Sequence, residues 1–423
     1  MSTGAVVTEA MVTPIAFPDP PLLNSSGVHE PWALRTIVEV RTGDGLVGLG
    51  ETYGDAAHLE LVRAAAAALP GLDPFDLNGL TSRVAGVLGR VDAPDAHGLT
   101  GGSSPQKTLA RVVSAFEVAF LDLQGRATGR PLHALLGGKV RDAVPYSAYL
   151  FYKWGAHPGA EPDVYGEAVD PDGIVAQARK LVDQYGFGSI KLKGGVFPPE
   201  QEIAAIRALH EAFPDHPLRL DPNTAWTVDT SIKVAEETDG LLEYLEDPTP
   251  TIPGMAQVAA QAPMPLATNM CVVSFADIPE GLALGAVGVI LSDHHYWGGL
   301  RASQRLAGIC ETYGIGLSMH SNSHLGISLA AMTHLAAATP TLAYACDTHT
   351  PWQLGVDVVE PGTLRFSDGA VPVPDSPGLG VELDRDALAR MHEDYLRCGI
   401  RKRDDTGYMK RFQPDYERRL PRW

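Results

Sequence analysis

The stretch Ser189-Ile-Lys-Leu-Lys-Gly-Gly195 places two lysines in an apolar run and stops at a glycine pair. Strand alternation sends Lys191 and Lys193 to one face, about 6.5–7 Å apart along the backbone. Upstream, Gly173–Tyr185 sets Ile174, Ala178, Leu181 and Val182 on one helical face before Gly186, a helix stop. The local unit is thus a helix followed by a short strand that ends in polar residues.

Working outward, the same kind of apolar stretch recurs at Val144–Tyr149, Leu218–Asp221, Leu242–Glu246, Pro265–Asn269, Val287–Asp293, Gly316–His320 and Leu342–Asp347. Between Lys191, Asp221, Glu246, Asn269, Asp293, His320 and Asp347 the steps are 30, 25, 23, 24, 27 and 27 residues, the length of a strand, a loop and a helix. Thr227–Thr238 and Ser303–Tyr313 supply further helical patterns. Eight units predict an α/β fold, a (β/α)8 barrel of the TIM type over residues 136–370. Its active site belongs where the strands end, the side on which the polar residues fall.

Residues 1–135 read differently. A hairpin over Thr36–Arg41 and Gly45–Gly50, then helices over Leu59–Ala68 and Ser114–Gly125, predict an α+β capping domain. Residues 371–423 carry one helix near Asp384–Leu396 and a basic end from Arg401 to Trp423, and are expected to return to the capping domain.

The 423 residues are 45% apolar and 20% charged, which excludes a disordered chain, and no apolar run approaches the roughly 20 residues that span a bilayer. The net charge of −18 argues against nucleic acid and anionic lipid as partners. Met1 to Glu9 lack the features of a secretion signal, so a cytoplasmic location is expected. Cys271, Cys310, Cys346 and Cys398 lie far apart and read as reduced packing residues.

Asp221, Glu246 and Asn269 end three successive strands and offer only oxygen, a donor set suited to Mg2+. A single Asp-Pro reads as a turn; three such residues at matching positions read as ligands. Lys191 and Lys193 are expected to repel each other and to release protons more readily than free lysine, as a lysine base requires. Asp293 and His320 end neighbouring strands, so the carboxylate is expected to orient the imidazole and favour its charged form, making a second acid/base. His97, His133, His157, His210, His216, His324 and His334 read as structural.

GVHEPWALRTIVEV, LVGLGETYG, SIKLKGG, LRLDPNTAW, EDP, ATNM, HSNSHLGISLA, DTH and RDD together resemble the enolase superfamily and, within it, the glucarate dehydratase family, over nearly the whole chain. Asparagine as third ligand, in ATNM, is the most telling match. The resemblance implies a Mg2+-dependent hydro-lyase acting on a sugar diacid such as D-glucarate or L-idarate; sites of this superfamily pair a lysine or histidine base with magnesium. It implies Asp221, Glu246 and Asn269 as metal ligands and Lys193 as one base, assisted by Lys191. His320, backed by Asp293, would be the base for the opposite face and the acid for the departing hydroxyl. His29, Ser103, Tyr149, Lys191, Asn223, Asn269, Asn322, His349 and Arg403 match substrate-binding positions, with Arg403 as the clamp for the far carboxylate. A homo-oligomer is also implied.

The chain departs from the family pattern in three places. Ser103 stands where relatives have threonine, Pro248-Thr-Pro-Thr-Ile-Pro253 replaces a longer loop, and one extra residue appears near Gly298-Gly299. Another acid-sugar dehydratase or an epimerase of the same superfamily is the alternative reading, and a non-catalytic barrel that binds without reacting a more remote one.

Overall fold

The computed structural model describes residues 6–94 and 102–423; His97 lies outside the described residues. Seven parallel strands curl into one sheet in chain order: Ala148–Phe151, Ile190–Lys193, Leu218–Asp221, Leu242–Glu246, Leu266–Thr268, Val289–Ser292 and Gly316–Met319. The eighth stretch makes single bridges on both sides, Leu342 with Leu317 and Cys346 with Tyr146, and these close the sheet into a barrel. Backbone bonds from Asp347 N to Met319 O (2.8 Å) and from Ser147 N to Cys346 O (2.8 Å) secure the seam.

The strands are short and almost wholly buried, because helices cover the barrel outside and side chains fill it inside. Register sets the site in layers. Tyr149 stands level with Lys191; Phe151, Lys193 and Asp221 form the next layer toward the strand ends. The first unit differs from expectation: Ala143–Pro145 pairs antiparallel with Ala370–Pro372, and the barrel strand begins only at Ala148. Pro145 cannot donate to a central ladder, so the chain uses that stretch at an edge.

The N-terminal region holds an antiparallel sheet of Val7–Pro18, Trp32–Thr42 and Val47–Tyr53, with helices Ala56–Ala67, Leu77–Leu88 and Pro105–Thr128. Val7–Pro18 and Leu77–Leu88 are absent from the sequence reading. Pro14 within the first strand argues against a central position, and the strand indeed lies at the edge. The helix Pro105–Thr128 has three terminal signals: Ser104 caps it by accepting from Lys107 N, Pro105 opens it, and Gly129 ends it in the left-handed region.

The helix Arg385–Cys398 packs on Val7–Pro18, with His392 Nδ1 2.7 Å from Pro14 O. The last residues go further and reach the barrel, where Arg422 N donates to Ala225 O. All four cysteines are unpaired. Among the described residues no helix is long and apolar enough to cross a membrane.

Candidate active site

The strand ends converge on a cluster of buried charge. Lys191 Nζ lies 2.6 Å from Glu246 Oε2, 2.8 Å from Asp347 Oδ2 and 3.5 Å from Asp221 Oδ2, above the Tyr149 ring at 4.5 Å. Lys193 Nζ donates to Asp221 Oδ2 at 2.7 Å and Asn223 Oδ1 at 3.0 Å, and Tyr149 donates to the same Asp221 oxygen at 3.2 Å.

The expected loss of protons does not hold for Lys191. Burial works against its charge, but the carboxylates of Asp347 and Glu246 outweigh it and hold the ammonium well above the ordinary lysine value. Mutual repulsion of the lysines is the smaller effect once three carboxylates face them. Asp347 ends the eighth repeat, so its place at the site was readable, although its pairing with Lys191 was not.

Negative charge is crowded here as well. Burial opposes ionisation of Asp221, yet Lys193 and Lys191 hold its carboxyl below the usual range. Burial and then the Asp221 charge push Glu246 well above it. Asn269, 7% exposed, leaves both its amide oxygen and its amide nitrogen without a hydrogen bond. Two crowded carboxylates beside an unsatisfied amide oxygen fit a hard divalent cation, which would relieve the crowding and use the orphaned donor.

Asp247 holds this corner from behind. It accepts from Thr268 Oγ1 (2.6 Å), Asn269 N (2.8 Å) and Met270 N (3.1 Å), and burial raises its pKa to about 6. Glu202 similarly accepts from Gly195, Val196 and Phe197 N, fixing the turn after Lys193. Neither role was visible in the sequence: Asp247 is the second residue of a motif read for its first, and Glu202 lies in the following helix, outside every motif singled out.

Across the cavity, His320 Nδ1 lies 3.1 Å from Asp293 Oδ2. Here too the direction differs from expectation: burial lowers the imidazole pKa and Asp293 only partly offsets it. Asp293 also receives His295 Nδ1 at 2.8 Å and stands 3.6 Å from His324 Nε2. His324, which the sequence assigns to packing, therefore faces the site's carboxylate, and His295 was missed altogether.

A cavity of about 210 Å3 lies beside these groups. Lys193 and His320 both line it, with Tyr149, Asn223, Asn322 and His349. His29 and Arg403 line it from the capping domain and the tail, and Phe151 adds an apolar wall. Burial keeps His349 neutral, well below the ordinary histidine pKa, so it offers a hydrogen bond and no charge. Asp405 grips Arg403 with bonds to Nε (2.9 Å) and Nη2 (2.7 Å); Lys402 and Arg418 stand beside it. Lys191, Asp221, Glu246, Asn269 and Asp293 are buried and are not among the lining residues. Ser103 is exposed ahead of the helix Pro105–Thr128 and is not among the lining residues.

An α/β barrel with an amine and an imidazole on the wall of one cavity at its strand ends has the form of a barrel enzyme's active site. Comparison with known proteins narrows the class. Residues 20–137 match the N-terminal domain of mandelate racemase and muconate lactonizing enzyme, and residues 173–387 the enolase C-terminal domain-like family. Over 100% of both chains, the protein is 56% identical to a probable glucarate dehydratase of Streptomyces coelicolor. A crystal structure of an enolase from Thermobispora bispora, complexed with magnesium and formate, superposes with TM-score 0.98 at 68% identity, covering 99% of this chain and 100% of that one. An enolase from Pseudomonas fluorescens with bound magnesium, potassium and tartrate gives TM-score 0.95 at 51% identity, covering 99% of each chain. The chain belongs to the enolase superfamily, and it is an enzyme of the hydro-lyase type.

Proposed function

We propose that the protein dehydrates D-glucarate, and its epimer L-idarate, to 5-keto-4-deoxyglucarate. One observation carries this reading: Lys193 and His320 line a single cavity, beside the buried carboxylates and facing Arg403. A diacid would present one carboxylate to the buried end and the other to Arg403, whose planar fork suits a carboxylate.

Asp221, Glu246 and Asn269 would hold Mg2+, which would supply positive charge against a carboxylate that gains negative charge as its α-proton leaves. Lys193 Nζ, as the free amine, takes that proton from one face of the α-carbon; His320 Nε2 takes it from the other face of the epimer. With Nδ1 bonded to Asp293, the imidazole turns Nε2 toward the reacting atoms. When His320 is the base, the proton it has taken passes from Nε2 to the β-hydroxyl, which departs as water with the C–O bond pair, and the enol left behind becomes the ketone; when Lys193 is the base, the imidazolium form of His320 supplies that proton. Lys191 stays protonated and binds anionic oxygen. Asn223 positions Lys193, and His29, Tyr149, Asn322 and His349 supply hydrogen bonds along the substrate.

The alternative is a dehydratase for another acid sugar, or an epimerase. Two observations favour keeping it: Asp405 already neutralises Arg403, and the turn at Asp247–Thr251 is tight, with Asp247 and Thr251 at φ +38° and +72°. The test is a panel of sugar diacids and monoacids incubated with the protein and Mg2+ and scored for keto product. Turnover of D-glucarate and L-idarate is the expected result; turnover of monoacids alone would overturn the assignment.

A further inference from the structure

The carboxylate that orients His320 is itself held from the capping domain. Asp293 Oδ1 accepts from His295 N at 2.9 Å and from His295 Nδ1 at 2.8 Å. The other ring nitrogen, His295 Nε2, lies 3.2 Å from Arg35 Nη2 and 3.0 Å from Ser328 Oγ. Arg35 sits on the capping strand Trp32–Thr42 and is fully buried. Its Nε donates to Glu51 Oε1 at 2.7 Å, and Glu51 accepts from Leu325 N (3.0 Å) and Ser328 N (2.9 Å) at the start of the barrel helix Gly326–Ala337.

The directions of these bonds follow from one fact. A guanidinium only donates, so His295 Nε2 opposite Arg35 must accept. Burial keeps His295 neutral at pH 7, its pKa brought down to about 4, so its one proton must lie on Nδ1. That proton points to Asp293 Oδ1, leaving Oδ2 to accept from His320 Nδ1, and His320 Nε2 is left as the nitrogen that exchanges protons with substrate. Asp293, His294 and His295 bring ligand atoms within 4.8 Å of one another. The Arg35 charge and the engagement of both His295 nitrogens oppose a cation there.

We propose that Arg35 and His295 are positioning residues for the second acid/base: the capping domain, through Arg35 and then His295, holds the Asp293 carboxylate with Oδ2 toward His320 Nδ1 and so keeps the His320 proton on that nitrogen. The catalytic consequence rests on the two-base reading above, whereas the tautomer does not. The network differs from a simple structural anchor, because an anchor needs no particular proton on any ring nitrogen.

The experiment replaces His295 by Phe, which fills the space and cannot bond Asp293 through its ring. A second variant, Ser328→Ala, removes only one hydroxyl and guards against failure to fold. In the Mg2+-loaded protein, nitrogen NMR of the imidazoles reads the His320 tautomer directly, and deuterium entry from D2O reads each base separately with the two epimers. In His295→Phe the protonated Nδ1 population of His320 falls. Exchange on the His320 face falls about 10- to 100-fold, part of the roughly 10^2- to 10^4-fold that general acid–base catalysis supplies. Exchange through Lys193 stays within about two-fold, well inside the range that marks acid–base catalysis. Ser328→Ala shows the same asymmetry at smaller size. An unchanged His320 tautomer, or an equal fall on both faces, would overturn the proposal. If neither diacid exchanges in the unmodified enzyme, the substrate reading fails and the NMR result alone decides the positioning role.

Discussion

The lysine side and the histidine side of the cavity are built in opposite ways. On the lysine side, Lys191, Lys193, Asp221 and Glu246 come from three adjacent strands, and Asp347 from the segment that closes the barrel. The barrel alone assembles them. On the histidine side, His320 depends on Asp293, then His295, then Arg35, which lies 260 residues away in sequence from His295 and in the other domain. One half is charge crowded by strand register; the other is a directional chain of hydrogen bonds crossing a boundary. Damage to the lysine side should therefore be local and large, and damage to the histidine side should be selective.

The strongest way to break the comparison is to remove Lys193, the base of the proposed mechanism. Lys193→Met should lower dehydration of D-glucarate and the matching deuterium exchange by roughly 10^2- to 10^4-fold, the usual contribution of a positioned acid or base. Chelation of the divalent cation should abolish turnover on both faces, and added Mg2+ should restore it. Activity that survives chelation would contradict the donor set at Asp221, Glu246 and Asn269. Calorimetric titration with Mg2+ gives a readout independent of turnover: Asp221→Asn should weaken binding, because it takes away the carboxylate that stays ionised.

His320→Asn sharpens the contrast. Dehydration should fall by a comparable factor of about 10^2 or more, while solvent deuterium still enters D-glucarate through Lys193. Mass spectrometry of recovered substrate separates the two. Loss of both together would mean that His320 shapes the cavity as a whole.

The same contrast explains what the sequence disclosed. Lys191, Lys193, Asp221, Glu246 and Asp347 fall at the ends of units spaced about a strand plus a helix apart, so period alone brings them to one rim. Their burial and mutual charge were less legible: a Lys-x-Lys pair suggests repulsion until Asp347 is placed beside it. Arg35 sits in a hairpin strand, and nothing in Leu34-Arg-Thr-Ile37 distinguishes an inward guanidinium from a solvent-facing one. Contacts across a domain boundary have no period, and Arg35 reaches His295 and Ser328 only through them. Asp405 was missed for another reason, since RDD offered Arg403 as a free clamp while the structure ties it down.

The domain boundary also explains why position 299 is a glycine. Gly299 has φ +107°, and a Cβ there would come 1.9 Å from Glu117 Oε2. Glu117, on the capping helix Pro105–Thr128, accepts from the N–H groups of Leu300 and Arg301 just beyond, and burial raises its pKa to about 7. Gly299→Ala should cost about 1–3 kcal/mol from backbone strain, with more from displacing Glu117. Denaturant melts would show the loss. His320-face exchange should suffer more than Lys193-face exchange, because the helix Leu300–Tyr313 follows directly on the Asp293–Trp297 turn.

Acid provides the mildest separation of the two halves. His295, with pKa about 4, and His58, at about 3 on the capping helix Ala56–Ala67, are buried and neutral when folded. The unfolded chain protonates both near the ordinary 6.5, so between pH 6.5 and 4 it binds more protons than the folded one. Their contribution to stability is complete above pH 6.5 and is lost as the pH falls toward the folded values. On the lysine side Glu246 responds with the opposite sign, since its folded pKa lies above its unfolded value and the repulsion it feels at neutral pH is relieved on protonation, whereas Asp221, held below the usual range, loses stability as the pH falls. Tm should therefore fall between pH 6.5 and 4 despite relief at Glu246. His58→Gln, which can still bond the Thr52 hydroxyl that lies 3.0 Å from His58 Nε2, should flatten that fall without altering turnover at pH 7.5. An unaltered slope would mean that the capping side does not govern the acid limit, and would move the weak point of the fold to the barrel carboxylates.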